Sequence, residues 1–247
     1  MAQQNILTVT GLGVTFDDRS VLRDISFTIE HGRSVAIVGP NGSGKTVLLR
    51  ALLGLVPYTG SVSWNAGVRV GYVPQFVAVD RELPLTVAEF FGLKGVARDR
   101  TLELLERLGL GAEHREPGHA RRHIIDHVMN QRIGTLSGGQ LQRVLIAWTL
   151  ADDPDVLLFD EPTSGIDIGG QDSVYSLLAE LRRERGMTLI LVSHDLDIVY
   201  AHADHVLCVS ERLVCHGPPR QALDAEVLQK LYGGHVAFPQ HENVHEH

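Results

Sequence analysis

The 247-residue sequence has few lysines, few cysteines and no long hydrophobic run. Only three lysines occur among its 22 basic residues, and its net charge of -8 leaves no basic face for a nucleic-acid backbone. No apolar stretch approaches the roughly 18–20 residues that span a bilayer, and the first five residues show no secretory signal pattern. We therefore expect no nucleic-acid partner, and work at a membrane would require a separate membrane protein.

The two cysteines, Cys208 and Cys215, are seven residues apart around a predicted hairpin turn. The sequence has neither the spacing of a C-x-x-C motif nor enough cysteines for a disulfide framework. It therefore favours two reduced, structural thiols over a redox pair or a metal site.

What the sequence does contain is a complete G-x-x-x-x-G-K-[ST] motif, between a strand predicted over residues 34–38 and a helix predicted over 46–55. A glycine-rich loop in this context turns backbone N–H groups inward at a helix N-terminus, which makes a triphosphate site. Lys45 would reach the β- and γ-phosphates, and the Thr46 hydroxyl would hold a Mg²⁺. The predicted nucleotide-binding residues of this motif are Gly39, Pro40, Asn41, Gly42, Ser43, Gly44, Lys45 and Thr46.

The rest of the chain indicates an α/β fold. Two strands, over residues 6–10 and 21–30, are predicted before the motif, joined through residues 11–20. Phe16 in that connection is either a core residue or a ring that stacks on adenine. From about residue 83 to 150, apolar residues recur at helical spacing, which predicts a helical insert.

The apolar strand predicted over residues 155–160 ends at a second candidate site, which contains the acidic residues Asp160 and Glu161. The strand would bring Asp160 to the sheet edge beside the phosphate loop, where a carboxylate can hold Mg²⁺. Glu161, one residue further on, would orient or deprotonate the attacking water.

A third motif, Leu136-Ser137-Gly138-Gly139-Gln140, precedes an apolar helix. Ser137 is a suitable N-cap, and the glycines leave backbone N–H groups accessible to a phosphate. One loop with a lysine and one without suggest a composite site across a dimer.

Together these motifs resemble those of the ATP-binding-cassette (ABC) ATPases, which are P-loop NTPases, over nearly the entire chain. Residues 39–46 resemble the Walker A loop, 136–140 the signature and 156–160 the Walker B strand. Three single residues also match the family's motifs: Gln75 the Q-loop, Asp167 the D-loop and His194 the switch histidine. The resemblance implies a mixed sheet core with an N-terminal antiparallel β region and an inserted helical subdomain. Residues 1–232 would form one nucleotide-binding domain, with the helical subdomain at about 83–150, and residues 233–247 a histidine-containing tail.

The family's mechanism implies a homodimer that encloses ATP between the Walker A loop of one subunit and the signature of the other. Glu161, His194, Lys45 and Gln75 would be catalytic, and Thr46, Gln75 and Asp160 would hold Mg²⁺. Phe16 would stack on adenine, the signature residues Leu136, Ser137, Gly138, Gly139 and Gln140 would contact ATP in trans, and Asp167 would connect the two sites.

Residues 70–75, 80–87 and 165–171 look like those of the ATPases of zinc and manganese importers, near the zinc-uptake members. This similarity implies a membrane permease as partner, a substrate-binding protein as an indirect partner, and a peripheral location on the cytoplasmic face of the cell membrane. The expected substrate is zinc, with manganese next. An importer of another substrate, such as siderophore-bound iron, and a non-transport ABC ATPase remain as alternatives.

Two groups of histidines stand out from the rest of the sequence. His119, His123 and His127 would lie on one face of a helix, and His235, His241, His245 and His247 are in the tail. Each group is either a metal-binding site or an inert solvated surface.

Overall fold

The computed structural model describes residues 4–75, 77–110, 119–161 and 168–233. The strands in these ranges are β1 (Asn5–Phe16), β2 (Arg19–Glu30), β3 (Ser34–Val38), β4 (Thr59–Trp64), β5 (Val70–Val73), β6 (Val156–Asp160), β7 (Thr188–Val192), β8 (His205–Ser210) and β9 (Arg212–Gly217). The helices are α1 (Lys45–Leu52), α2 (Val87–Gly92), α3 (Arg98–Arg107), α4 (His119–Met129), α5 (Gly138–Leu150), α6 (Ile168–Arg185), α7 (Leu196–His202), α8 (Pro219–Ala222) and α9 (Ala225–Tyr232).

The N-terminal region is an antiparallel sheet with the strand order β2-β1-β4. The predicted connection over residues 11–20 is wrong, because β1 and β2 continue through it and only Asp17 and Asp18 form the turn. Both aspartates have positive φ, 46° and 65°, as a tight two-residue hairpin turn requires. Four irregularities in the β1–β2 register interrupt the alternation of side chains that marks a strand in a sequence.

The second sheet has the order β5-β6-β7-β3-β8-β9, and all its pairings are parallel except that of β8 with β9. Every residue of β3, β6 and β7 is buried, as is usual for the central strands of a parallel sheet. Neighbouring parallel strands end at the same edge. The phosphate loop after β3, Glu161 after β6 and His194 just beyond β7 therefore meet there.

A buried apolar layer joins the two sheets and fixes α1 beneath the phosphate loop. Its members include Leu7 and Ile25 from the antiparallel sheet, Leu48 from α1, and Ile37 and Leu158 from the parallel sheet. The predicted α/β fold, with a mixed sheet and an N-terminal antiparallel region, is confirmed.

Four helices, α2 to α5, occupy the described part of the chain between β5 and β6. They bury apolar residues that recur at helical spacing, including Phe91 in α2, Leu105 in α3 and Val128 in α4. The helical character predicted for residues 83–150 is present here, whereas the division of the chain into a domain, a subdomain and a tail stays a prediction.

The last predicted helix, near residues 220–232, is two helices in the structure. α8 ends at Ala222, and the Asp224 side chain then accepts a hydrogen bond from the Val227 N–H (2.8 Å) as the N-cap of α9. Among the residues that the structure describes, no helix is both long and apolar enough to cross a bilayer.

Cys208 and Cys215 form a disulfide in the structure, which corrects the expectation of two reduced thiols. The register of β8 and β9 places the two residues directly opposite each other, with Cα atoms 4.9 Å apart. Spacing along the sequence could not show this, because it depends on the hairpin register.

Candidate functional site

The phosphate loop follows β3 and leads into α1, which begins at Lys45. Gly39, Gly42 and Gly44 have φ values of 155°, 77° and 98°, which L side chains rarely adopt. At Gly39 the space is also closed, because a Cβ atom there would lie 2.1 Å from the Val209 carbonyl oxygen. The loop therefore takes the curled path that directs its N–H groups inward.

Lys45 is buried at the base of this loop, with 6% of its surface exposed. Its ammonium group donates to the carbonyl oxygens of Gly39 (2.8 Å) and Pro40 (2.9 Å). Burial lowers the pKa of Lys45, and the charges of Glu161 and Asp160 oppose that shift. This arrangement places a positive charge at the phosphate loop, where a phosphate oxygen would be a stronger hydrogen-bond acceptor than the two carbonyl oxygens.

Asp160, the last residue of β6, lies beside the first turn of α1. The Thr46 hydroxyl donates to its Oδ1 atom at 3.1 Å, and only 2% of Asp160 is exposed. Burial raises the pKa of the Asp160 carboxyl, and the hydrogen bond from Thr46 partly opposes this. A hydroxyl and a buried carboxylate are the hard oxygen ligands that Mg²⁺ prefers, so these two residues fit the predicted metal.

Glu161 is held between Gln75 and His194. The Gln75 amide donates to Glu161 Oε2 at 2.6 Å, and His194 Nδ1 lies 3.5 Å from Oε1. Glu161 itself has a φ of 50°, and its N–H donates to the Val192 carbonyl (3.1 Å) at the end of β7. A non-glycine residue in this conformation is uncommon and is typical of functional sites, where the backbone re-aims a side chain.

All of these groups except Asp160 line one cavity of about 800 Å³. The residues that line it are Val21, Gly39, Pro40, Asn41, Gly42, Gly44, Lys45, Thr46, Val47, Gln75, Glu161, His194, Leu231 and Tyr232. A second cavity of about 610 Å³ shares Val21 and Gly42 with it and includes Phe16, whose ring is 42% exposed. Of the two readings for Phe16, the exposed ring favours stacking on a base over a place in the core.

Residues 22–164 match the family model of ABC transporters. The chain belongs to the ABC transporter family. The predictions of the family and of ATPase activity are thereby confirmed.

Curated relatives within the ABC transporter family match nearly the whole chain. A zinc import ATP-binding protein ZnuC of Yersinia enterocolitica is 39% identical over 248 aligned positions, which cover 98% of this chain and 92% of the relative. A ZnuC protein of Ruegeria pomeroyi is 40% identical over 243 positions, covering 96% and 89% of the two chains.

Solved ABC structures have the same fold as this chain. An inward-facing metal-chelate type ABC transporter superposes with a TM-score of 0.74 at 26% identity, over 92% of this chain and 88% of the other. A nucleotide-free ATP-binding cassette superposes with a TM-score of 0.70 over 94% and 96% of the two chains. Its identity of 20% makes this second likeness one of fold alone.

The signature segment forms the N-terminus of α5. The Ser137 side chain accepts from the Gln140 N–H (3.3 Å), and the Gln140 side chain accepts from the Ser137 N–H (3.0 Å), a reciprocal capping box. The predicted N-cap is therefore present. The residues lining the phosphate-loop cavity include none of the signature residues, and the contact of the signature with ATP in another subunit stays a prediction.

Several predicted residues lie outside what the structure describes. Asp167 and the tail histidines His235, His241, His245 and His247 are among them, as is the side chain of His119. His123 and His127 are exposed on α4, with His127 Nε2 3.1 Å from Gln131 Nε2. In the described ranges, no group of three or more His, Cys, Asp or Glu residues is arranged to hold a metal ion.

Leu231 and Tyr232 line the phosphate-loop cavity from the end of α9, a place that the sequence does not indicate. Their apolar spacing predicted a helix in this region. No local pattern could indicate that the helix ends against a loop near the other end of the chain.

Proposed function

We propose that this chain binds MgATP in the phosphate-loop cavity and hydrolyses it to drive zinc import through a separate membrane permease. The observation that carries the proposal is that Lys45, Thr46 and Glu161 line one cavity, with Asp160 hydrogen-bonded to Thr46. The near full-length similarity to ZnuC proteins supports the choice of zinc, with manganese as the next candidate.

Each group in the cavity has a role that its chemistry supports. Lys45 exchanges its two carbonyl partners for the β- and γ-phosphates, since an anionic acceptor forms the stronger hydrogen bond. Thr46 and Asp160 hold Mg²⁺, with Gln75 as a further ligand. The metal supplies neutralisation of the phosphate charge. Phe16 stacks on the adenine from the adjoining cavity.

Glu161 acts as the base or orienting group for the attacking water, and His194 contacts the γ-phosphate. The hydrogen bond from Gln75 and the nearby His194 keep the Glu161 carboxylate close to the phosphate loop. A carboxylate so placed can accept a proton from a water beside the γ-phosphate.

The working unit is a homodimer in which Leu136, Ser137, Gly138, Gly139 and Gln140 of one subunit close on ATP bound by the other. Asp167 connects the two sites. The dimer binds permease subunits at the cytoplasmic face of the membrane and meets a substrate-binding protein only through them. The exposed apolar side chains of Leu83 and Leu93, 40% and 71% exposed beside α2, support a protein contact on this side.

The deciding experiment measures metal uptake in cells that lack the gene. Deletion cells grown in chelator-treated medium are analysed for total zinc, manganese and iron, and then complemented with wild type, Lys45→Ala or Glu161→Gln. We expect a selective fall in zinc that wild type restores and neither variant restores, although both variants accumulate to wild-type levels. A selective fall in iron would indicate another importer, and unchanged metals would remove metal import while leaving the ATPase intact.

A further inference from the structure

Helix α9 ends against the phosphate loop although the loop lies near the other end of the chain. Leu228 and Leu231 bury the apolar face of the helix, and Gly233 ends it with a φ of 74°. Leu231 and Tyr232 then form part of the wall of the phosphate-loop cavity, together with Gly39 and Pro40. The last turn of this helix therefore lies at the same cavity as the first residues of the phosphate loop.

The Tyr232 hydroxyl is the polar group of this contact. Its oxygen is closed off from solvent and makes no hydrogen bond of standard geometry with any described residue. Burial raises the pKa of the Tyr232 phenol, and the Gly39 N–H, which faces the phenol oxygen, opposes that rise. A buried hydroxyl without a full partner is unfavourable, so a small movement of the Gly39 amide toward it is stabilising.

Gly39 is fixed on its other sides as well. Its carbonyl oxygen accepts from the Lys45 ammonium at 2.8 Å, and its Cα packs against the Val209 carbonyl, so closely that a Cβ atom would lie 2.1 Å from that oxygen. When Lys45 turns to a phosphate, the Gly39 carbonyl loses this partner. The contact with Tyr232 then remains to hold the Gly39 peptide.

We propose that Tyr232 is a positioning residue for ATP binding: its hydroxyl holds the Gly39 amide and so keeps the phosphate loop curled when Lys45 moves to the nucleotide. The inference rests on the proposed ATP site and does not depend on the transported substrate. It assigns α9 a role in nucleotide affinity and no part in the chemical step.

The test compares Tyr232→Phe, which removes only the hydroxyl, with Tyr200→Phe. Tyr200 is a matched control because its hydroxyl also lies in a helical contact, where it donates to the Leu223 carbonyl (3.3 Å) between α7 and α8. Tyr200 does not line the phosphate-loop cavity. On the purified full chain, we expect Tyr232→Phe to raise KM for MgATP about 2- to 10-fold, the value of one hydrogen bond, with kcat within about twofold of wild type. Tyr200→Phe leaves KM unchanged.

Thermal unfolding without nucleotide separates positioning from general stability. Tyr232→Phe should unfold at or above the wild-type temperature, since it removes a buried polar atom, whereas its stabilisation by MgATP should be smaller. Tyr232→Ala, which also removes the wall of the cavity, should raise KM further. An unchanged KM in Tyr232→Phe, or a raised KM together with a lowered unfolding temperature without nucleotide, overturns the inference. A wild-type chain that binds no MgATP would instead overturn the proposed function.

Discussion

The buried carboxylate of Asp160 is unfavourable for folding but suited to metal binding. Its carboxylate is 2% exposed, and burial raises its pKa. A carboxyl whose pKa is higher in the folded protein stabilises the fold at low pH, and that stabilisation is lost as the pH rises through the folded pKa. Above that pKa the ionised Asp160 is therefore a cost to the fold, offset when a cation binds.

Asp160→Asn should accordingly raise the unfolding temperature at pH 7, measured in chelator without nucleotide, while it abolishes Mg²⁺-dependent ATP hydrolysis. The gain should shrink as the pH falls through the raised pKa, because the wild-type carboxyl in the folded protein then becomes neutral as well. A lower unfolding temperature at pH 7 would contradict this account of Asp160.

Asp155 provides the control with the opposite sign. Its Oδ2 accepts from the Arg69 N–H at 2.9 Å, and this hydrogen bond holds the pKa of the Asp155 carboxyl below its usual value. Stability from such a group is present above the unfolded pKa and is lost as the pH falls through the folded one. Asp155→Asn should therefore lower the unfolding temperature at pH 7.

At the scale of elements, two helices, α5 and α2, begin with the same kind of N-terminal cap. Ser137 at α5 and Thr86 at α2 each form a capping box, with Gln140 and Glu89 respectively. Either side chain satisfies a backbone N–H that would otherwise lack a partner, which contributes about 1 kcal/mol. Of the two, only Ser137 is also predicted to contact ATP.

Ser137→Asn should separate these two roles, because Asn is as good an N-cap as Ser but has a larger side chain at the proposed ATP contact. We expect near wild-type stability with impaired ATP hydrolysis, whereas Thr86→Ala loses about 1 kcal/mol with unchanged hydrolysis by the isolated protein. Urea unfolding and phosphate release measure the two effects. Full hydrolysis in Ser137→Asn would remove the signature from the site.

Features that depend on a few adjacent residues can be predicted from the sequence. Contacts that depend on strand register or on packing between distant parts of the chain cannot. The N-cap at Ser137, the phosphate loop and the acidic end of β6 each depend on a few adjacent residues. The β1–β2 hairpin is longer than the sequence predicts because its bulges break the alternating pattern. The Cys208–Cys215 pairing depends on hairpin register, and the place of Tyr232 at the same cavity as Gly39 depends on the tertiary fold.

At the scale of the whole molecule, the proposed dimer divides each catalytic site between two chains. One edge of the parallel sheet brings together the phosphate loop, Asp160 and Glu161. The signature at the start of α5 does not line the phosphate-loop cavity at this edge. In a head-to-tail dimer with two-fold symmetry, each site takes the loop of one chain and the signature of the other. Two different damaged chains can then form one intact site.

Mixing Lys45→Ala with Ser137→Asn should therefore give more hydrolysis than either variant shows alone. In a mixed dimer one site combines both defects, while the other combines the intact phosphate loop of one chain with the intact signature of its partner. Random pairing of equal amounts should recover roughly a quarter of wild-type activity if the sites act independently. Phosphate release across mixing ratios measures this. If one chain held a complete site, the activity of the mixture would not exceed the average of the two variants.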